Sequence, residues 1–149
     1  MRDKQMPLSV ALMGYGGLVP FIGLAVLSNV EPMHGVMYRG ALLLYGAVIL
    51  SFVGAVHWGV ALVDPRLTAS DRSALYLWSV VPALIGWFSY IFAPITAALL
   101  LILGFVFQYW SDLRWARVVS WPSWYLALRL RLTVVAAVFL LVGVAPLVT

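Results

Sequence analysis

A chain of 149 residues with 64% apolar side chains, 9% charged ones and a formal charge of +4 does not suit a small soluble domain, in which about a quarter of residues are charged. Burying that much hydrocarbon in so small a core would leave too little polar surface to face water. Lipid is the solvent that fits, and the chain reads as a single all-α domain, a bundle of about five transmembrane helices over residues 1–149. The lack of cysteine excludes disulfides, thiolate metal sites and a cysteine nucleophile, without fixing a compartment.

The first apolar run, 8–27, follows a short basic start containing Arg2 and Lys4. It is longer than the roughly 7–15 apolar residues of a cleaved signal peptide, so it is expected to stay as a spanning helix. No Arg- and Ser-rich transit segment precedes it, which favours the bacterial inner membrane as the location. Within this run, Gly14-Tyr15-Gly16-Gly17-Leu18-Val19-Pro20 admits either a broken helix or a packing notch with a mild kink, and the notch is favoured. No strand precedes the glycines and no Lys-Ser/Thr follows them, so they are no phosphate loop.

The second span, 40–63, carries the most information. At 100° per residue, Tyr45, Ile49, Phe52, Val56, Val60 and Val63 form a bulky, lipid-facing sector. Ala47, Ser51, Ala55 and Gly59 form a small-residue face suited to close helix packing. Gly46, Leu50, Gly54, His57 and Ala61 form a third sector, so this helix belongs at the centre of the bundle.

The third and fourth spans, 76–92 and 95–110, are separated by Ala93-Pro94, because proline lacks an amide donor and disfavours helix at the residue before it. A long connection follows, in which Ser120-Trp121-Pro122-Ser123 resembles a helix start. An interfacial helix beginning over 120–130 then leads into the fifth span, 130–148.

With five spans, Arg2, Lys4, Arg66, Arg72, Arg114, Arg117, Arg129 and Arg131 fall on one side and Arg39 alone on the other. Cytoplasmic loops collect Lys and Arg, so the N-terminus is expected in the cytoplasm and the C-terminus in the periplasm. Six of the seven tryptophans (58, 78, 110, 115, 121 and 124) lie near the same boundary, where indole rings favour the headgroup layer. That placement accounts for basic and aromatic residues together, and no nucleic-acid partner is expected.

Tyrosines apart, His57 is the one ionisable residue well inside a span. Intramembrane ionisable groups are costly and often functional, but a neutral imidazole bonded to its neighbours also serves packing. Ser79 on the third helix and Gln108 and Asp112 on the fourth lie at similar depth. A cytoplasmic-side polar cluster of His57, Ser79, Gln108 and Asp112, closed by Arg129 or Arg131, is therefore a candidate ligand site. The alternative leaves Asp112 and the arginines in the headgroups. His34 and His57 fall on opposite sides and cannot share a metal or haem; no cofactor and no catalytic set is expected.

Four segments carry a resemblance: Leu50 to Gly59 (LSFVGAVHWG), Leu77 to Pro82 (LWSVVP), Phe107 to Asp112 (FQYWSD) and Trp124 to Thr133 (WYLALRLRLT). Together they resemble the uncharacterised membrane family called domain of unknown function 3429, the transmembrane protein 69-like family. The resemblance covers nearly the whole chain and implies a multi-span inner-membrane protein; it carries over no catalytic residue. Enzymatic activity is not favoured. The leading reading is a non-enzymatic assembly factor or accessory subunit, partnered by membrane lipids and by other membrane proteins or a second copy of itself. The alternative is a binding or transport protein for a small lipid- or quinone-type molecule, with its polar site on the cytoplasmic side.

Overall fold

The computed structural model describes residues 5–31 and 33–145. Arg2, Lys4 and the end of the fifth apolar run, 146–148, lie outside the described residues. Among those described, the chain is all helical: α1 (Leu8–Gly16), α2 (Val19–Val30), α3 (Gly35–Val63), α4 (Ala69–Ser89), α5 (Pro94–Trp115) and α6 (Tyr125–Val144). Four segments are long and apolar enough to cross a membrane: Leu8–Val30, Gly35–Val63, Pro94–Trp115 and Tyr125–Val144. The outer surface is hydrocarbon, with Phe52, Leu77 and Trp87 each about 70% exposed, as expected where lipid replaces water.

The helix limits follow from local chemistry. Pro20 cannot donate to the Gly16 carbonyl, and the first apolar run is divided at Gly17 and Leu18. Both residues keep right-handed helical angles, and the Tyr45 hydroxyl donates to the Gly17 carbonyl at 2.8 Å. The run is thus two short helices, an interruption beyond the expected notch with a mild kink. Helix α4 starts ahead of the apolar run because Thr68 and Asp71 form a capping box, with Asp71 N–H donating to Thr68 Oγ1 at 3.1 Å. It ends at Ser89, before a turn at 90–92 that leads into Pro94.

Helix α3 packs against α2, α4, α5 and α6. Its buried residues Arg39, Leu42, Gly46, Leu50, Gly54, His57 and Ala61 recur every three or four positions, so one continuous stripe faces inward. Glycines on this stripe and opposite it let backbones meet. A Cβ at Gly54 would stand 2.8 Å from Pro82 Cγ, and one at Gly86 would stand 3.0 Å from the Ala47 carbonyl oxygen. Helices α3 and α4 therefore touch at two heights through small residues. The bulky sector of α3 is split: Phe52 and Val63 face outward, whereas Tyr45 and Ile49 pack against the core around Phe21, Leu50 and Phe105.

Both ends of the bundle are tied by polar groups. At one end, Ser28 Oγ, Asn29 Nδ2 and Arg39 Nε donate to the Val142 and Gly143 carbonyls of α6 at 3.0–3.2 Å. These carbonyls lie in the last turn of a helix, where a cation is favoured, and the Val142 carbonyl also accepts the Ala145 N–H. At the other end, Arg66 grips Asp64 through Nε at 3.0 Å and Nη2 at 2.6 Å, and reaches Ser120 Oγ. Arg66 side-chain and backbone hydrogen bonds hold the Asp64 carboxyl below its usual range, at about 2. Arg72 donates to the Ala61 and Asp64 carbonyls and so closes the end of α3.

Candidate functional site

His57, on the buried stripe of α3, lies one helical turn before Ala61 and faces the last turns of α5. Helix α5 carries Gln108, Ser111 and Asp112 on one inward face, spaced three and four residues apart. Gln108 Nε2 lies 2.9 Å from His57 Nδ1, and Ser111 Oγ and Asp112 Oδ1 lie 3.4 and 3.5 Å from His57 Nε2. Helix α6 contributes Arg129, whose Nε donates to Asp112 Oδ2 at 2.9 Å. The structure thus brings together His57, Gln108, Asp112 and Arg129.

Hydrogen-bond logic fixes the proton positions. The Trp78 indole N–H can only donate, and it meets Gln108 Oε1 at 3.1 Å. The amide NH2 of Gln108 therefore faces His57, so Nδ1 must accept and the imidazole proton sits on Nε2, toward Ser111 and Asp112. His57 is neutral in this arrangement, while Asp112 and Arg129 form the ion pair. Burial is complete: His57, Gln108 and Asp112 are 0% exposed.

The connection between α5 and α6 forms a lid over this cluster. Trp121 Nε1 donates to the Asp112 carbonyl at 3.1 Å, its ring stacks on Tyr125 at 4.4 Å, and its edge meets the His57 ring at 6.2 Å. The Tyr125 hydroxyl interacts with the Asp112 carboxylate without a hydrogen bond of standard geometry. Trp78 and Trp121, read from sequence as headgroup anchors, are half-buried donors here. Their signal was present in their depth, level with Gln108 and Asp112, but headgroup anchoring explained that depth equally well.

Two expected members stand apart. Ser79 is buried, but its hydroxyl donates to the Tyr76 carbonyl of its own helix at 2.7 Å. Arg131 lies two residues beyond Arg129, which on a helix is nearly the opposite face, and it donates to the Tyr15 hydroxyl at 3.1 Å. The small-residue face of α3 is also divided. Ala47 touches Gly86 of α4, Ser51 bonds the Ala47 carbonyl, and Ala55 and Gly59 are exposed, with nothing within 4 Å of a Cβ built at Gly59. Among the described residues, no three His, Cys, Asp or Glu side chains group closely enough to hold a metal ion.

An apolar helical surface enclosing a buried ion pair and a neutral histidine defines an integral membrane protein. The chain belongs to the family described as Protein of unknown function (DUF3429), whose model matches residues 6–145. It is similar to Transmembrane protein 69 of Xenopus tropicalis, with 41% identity over 142 residues, covering 94% of this chain and 54% of that protein. The chain therefore spans about half the length of that relative. No solved structure matches it.

The pairing of Asp112 with Arg129 predicts a non-additive mutant cycle. Asp112→Ala alone leaves a buried guanidinium unpaired and should cost about 3–5 kcal/mol of unfolding free energy in micelles. Adding Arg129→Met should recover most of that loss. A loss from Asp112→Ala below ~1 kcal/mol would show that the pair is solvated.

Proposed function

We propose that this chain is a five-span bacterial inner-membrane protein, N-terminus cytoplasmic and C-terminus periplasmic, acting as a non-enzymatic assembly factor or accessory subunit. Helix α4 is the fifth span: its 21 residues extend about 31 Å at 1.5 Å each, and it packs along both α3 and α5. The charge distribution supports the orientation. Arg66, Arg72, Arg114, Arg117, Arg129 and Arg131 gather where α3 ends, α4 starts and α5 passes into α6. Arg39 sits at the other end, bonded to α6. Such an imbalance is read as cytoplasm on the richer side.

The observation that carries the accessory role is the closure of the polar cluster. Gln108 bonds His57 and Trp78, Asp112 pairs with Arg129, and His57, Gln108 and Asp112 have no exposed surface, so the cluster acts as a lock between helices. What remains accessible is apolar surface. On α3 it includes Ala55 and Gly59, beside Trp58 and Leu62, where another membrane helix can approach the backbone closely.

Two measurements test this reading. The chain has no cysteine, so single cysteines at Val118 and Ile91, both exposed, can be labelled with an impermeant maleimide in right-side-out spheroplasts. Ile91→Cys should label and Val118→Cys should not; the reverse pattern, or equal labelling, contradicts the topology. In mild detergent the wild type should run as a larger particle with one consistent protein partner or a second copy of itself. Gly59→Leu should release the partner and leave the bundle folded. A wild-type monomer without any co-purifying protein refutes the accessory role.

A further inference from the structure

Of the six arginines gathered where α3 ends and α5 passes into α6, four are committed within the chain. Arg66 pairs with Asp64 and Arg129 with Asp112, Arg72 donates to the Ala61 and Asp64 carbonyls, and Arg131 donates to the Tyr15 hydroxyl. Arg114 and Arg117 are different. Both are exposed, and among the described residues neither has an ion-pair partner. One stands in the last turn of α5 and the other just past its end.

Both line one cleft between the start of α4 and the end of α5, about 520 Å³ in volume, together with Ser70, Asp71, Trp78 and Trp110. The Arg114 guanidinium lies over the Trp110 ring, 5.6 Å from its centroid, which holds the charge at the depth of an indole. Asp71 is the one carboxylate of the cleft, and it accepts from the Thr68 N–H and hydroxyl at 3.2 and 2.6 Å. Two guanidiniums against one carboxylate leave the cleft with a single uncompensated positive charge. Away from the arginines the outer face of α5 is hydrocarbon. Counting back from Arg114, Trp110, Phe107 and Leu103 recur every three or four positions and form one stripe, each about half exposed. From Arg114 to Leu103 that stripe runs about 16 Å at 1.5 Å per residue, roughly half of a hydrocarbon core about 30 Å thick. This is the depth that the acyl chains of one leaflet occupy.

A net cation at the headgroup boundary, with an apolar track one leaflet deep leading from it, matches the two parts of one lipid. We propose that Arg114 and Arg117 form a specific site for an anionic phospholipid. Its phosphodiester is held by the two guanidiniums in the cleft, and one acyl chain lies along Trp110, Phe107 and Leu103. The planar fork of arginine suits phosphate oxygens, and the single negative charge of the lipid compensates that of the cleft. A zwitterionic lipid brings an ammonium with its phosphate and leaves the net charge of the cleft unmatched. The site requires only that the chain lies in a bilayer; neither the accessory role nor the orientation enters it.

The test offers the full chain, in mild detergent, equal amounts of phosphatidylglycerol, phosphatidylcholine and phosphatidylethanolamine with the same acyl chains. Native mass spectrometry reads how much of each is retained. The wild type should hold one phosphatidylglycerol about fivefold more strongly than either zwitterionic lipid, the effect of one guanidinium at a membrane surface. Arg114→Gln and Arg117→Gln should each remove most of that preference. Arg131→Gln removes an equal charge at the same end, but from an arginine bonded to Tyr15, and should leave the preference intact. Equal retention of the three lipids by the wild type overturns the proposal. So does a loss in Arg131→Gln as large as that in Arg114→Gln, which would reflect only the total charge of this end. Preferential retention of phosphatidylethanolamine assigns the cleft to a zwitterionic headgroup and also overturns it. If one of the two cleft variants does not fold, the other decides against the Arg131→Gln control, and if neither folds the wild-type comparison decides.

Discussion

A carboxylate enclosed among membrane helices must be neutralised where it stands, because neither lipid nor core offers water to solvate it. Asp112 meets that demand with Arg129 from α6, and most of the organisation at this end of the bundle follows from the pair. The second carboxylate oxygen faces the His57 Nε2–H of α3, and the Asp112 carbonyl receives Trp121 from the connection above. His57 in turn depends on Gln108, whose amide is oriented by Trp78 of α4. One charge therefore recruits groups from four helices. Lipid is as apolar as leucine and gives helices little reason to associate, so such polar contacts and the close approach of small residues set which helices meet and at what height.

The opposite end follows the same rule with different parts. The final carbonyls of α6 are satisfied by Ser28, Asn29 and Arg39 from α2 and α3. Between the two polar knots the contacts are mostly apolar or glycine-mediated, as where Gly54 meets Pro82 and Gly86 meets Ala47, with the Tyr45–Gly17 hydrogen bond among them. Helix α3 takes part in both knots, which explains why it is the longest element and the one most surrounded. The weakly packed corner lies at α1, where the interruption before Pro20 leaves a cleft instead of a contact.

Periodicity made the centrality of α3 legible, since glycine, leucine and histidine recur on one face, and depth counting set His57 level with Gln108 and Asp112. Depth could not separate residues on different faces of one helix end. Arg129 and Arg131 are equally deep, yet only Arg129 points toward Asp112, and that choice depends on the rotation of α6. Ser79 shared the inward face with Pro82 and Gly86, but a serine in a helix readily bonds its own backbone, as it does here. Arg39 read as a lone charge on the sparse side because its partner is the Gly143 carbonyl, 104 positions away, which leaves no mark in side-chain identity. The apolar run beginning at Tyr76 drew the α4 boundary too late, because the Thr68–Asp71 capping box that starts the helix lies in the polar stretch ahead of it.

The most direct test of the buried hydrogen-bond chain is the protonation pattern of His57. The chain has two histidines, so a His34→Gln variant with ¹⁵N-labelled histidine gives the His57 ring alone. Solid-state NMR in lipid bilayers at neutral pH should show a bare Nδ1 and a protonated Nε2, because Gln108 donates to the first and Asp112 faces the second. A doubly protonated ring, or a proton on Nδ1 alone, would contradict the chain from Trp78 through Gln108 to Asp112.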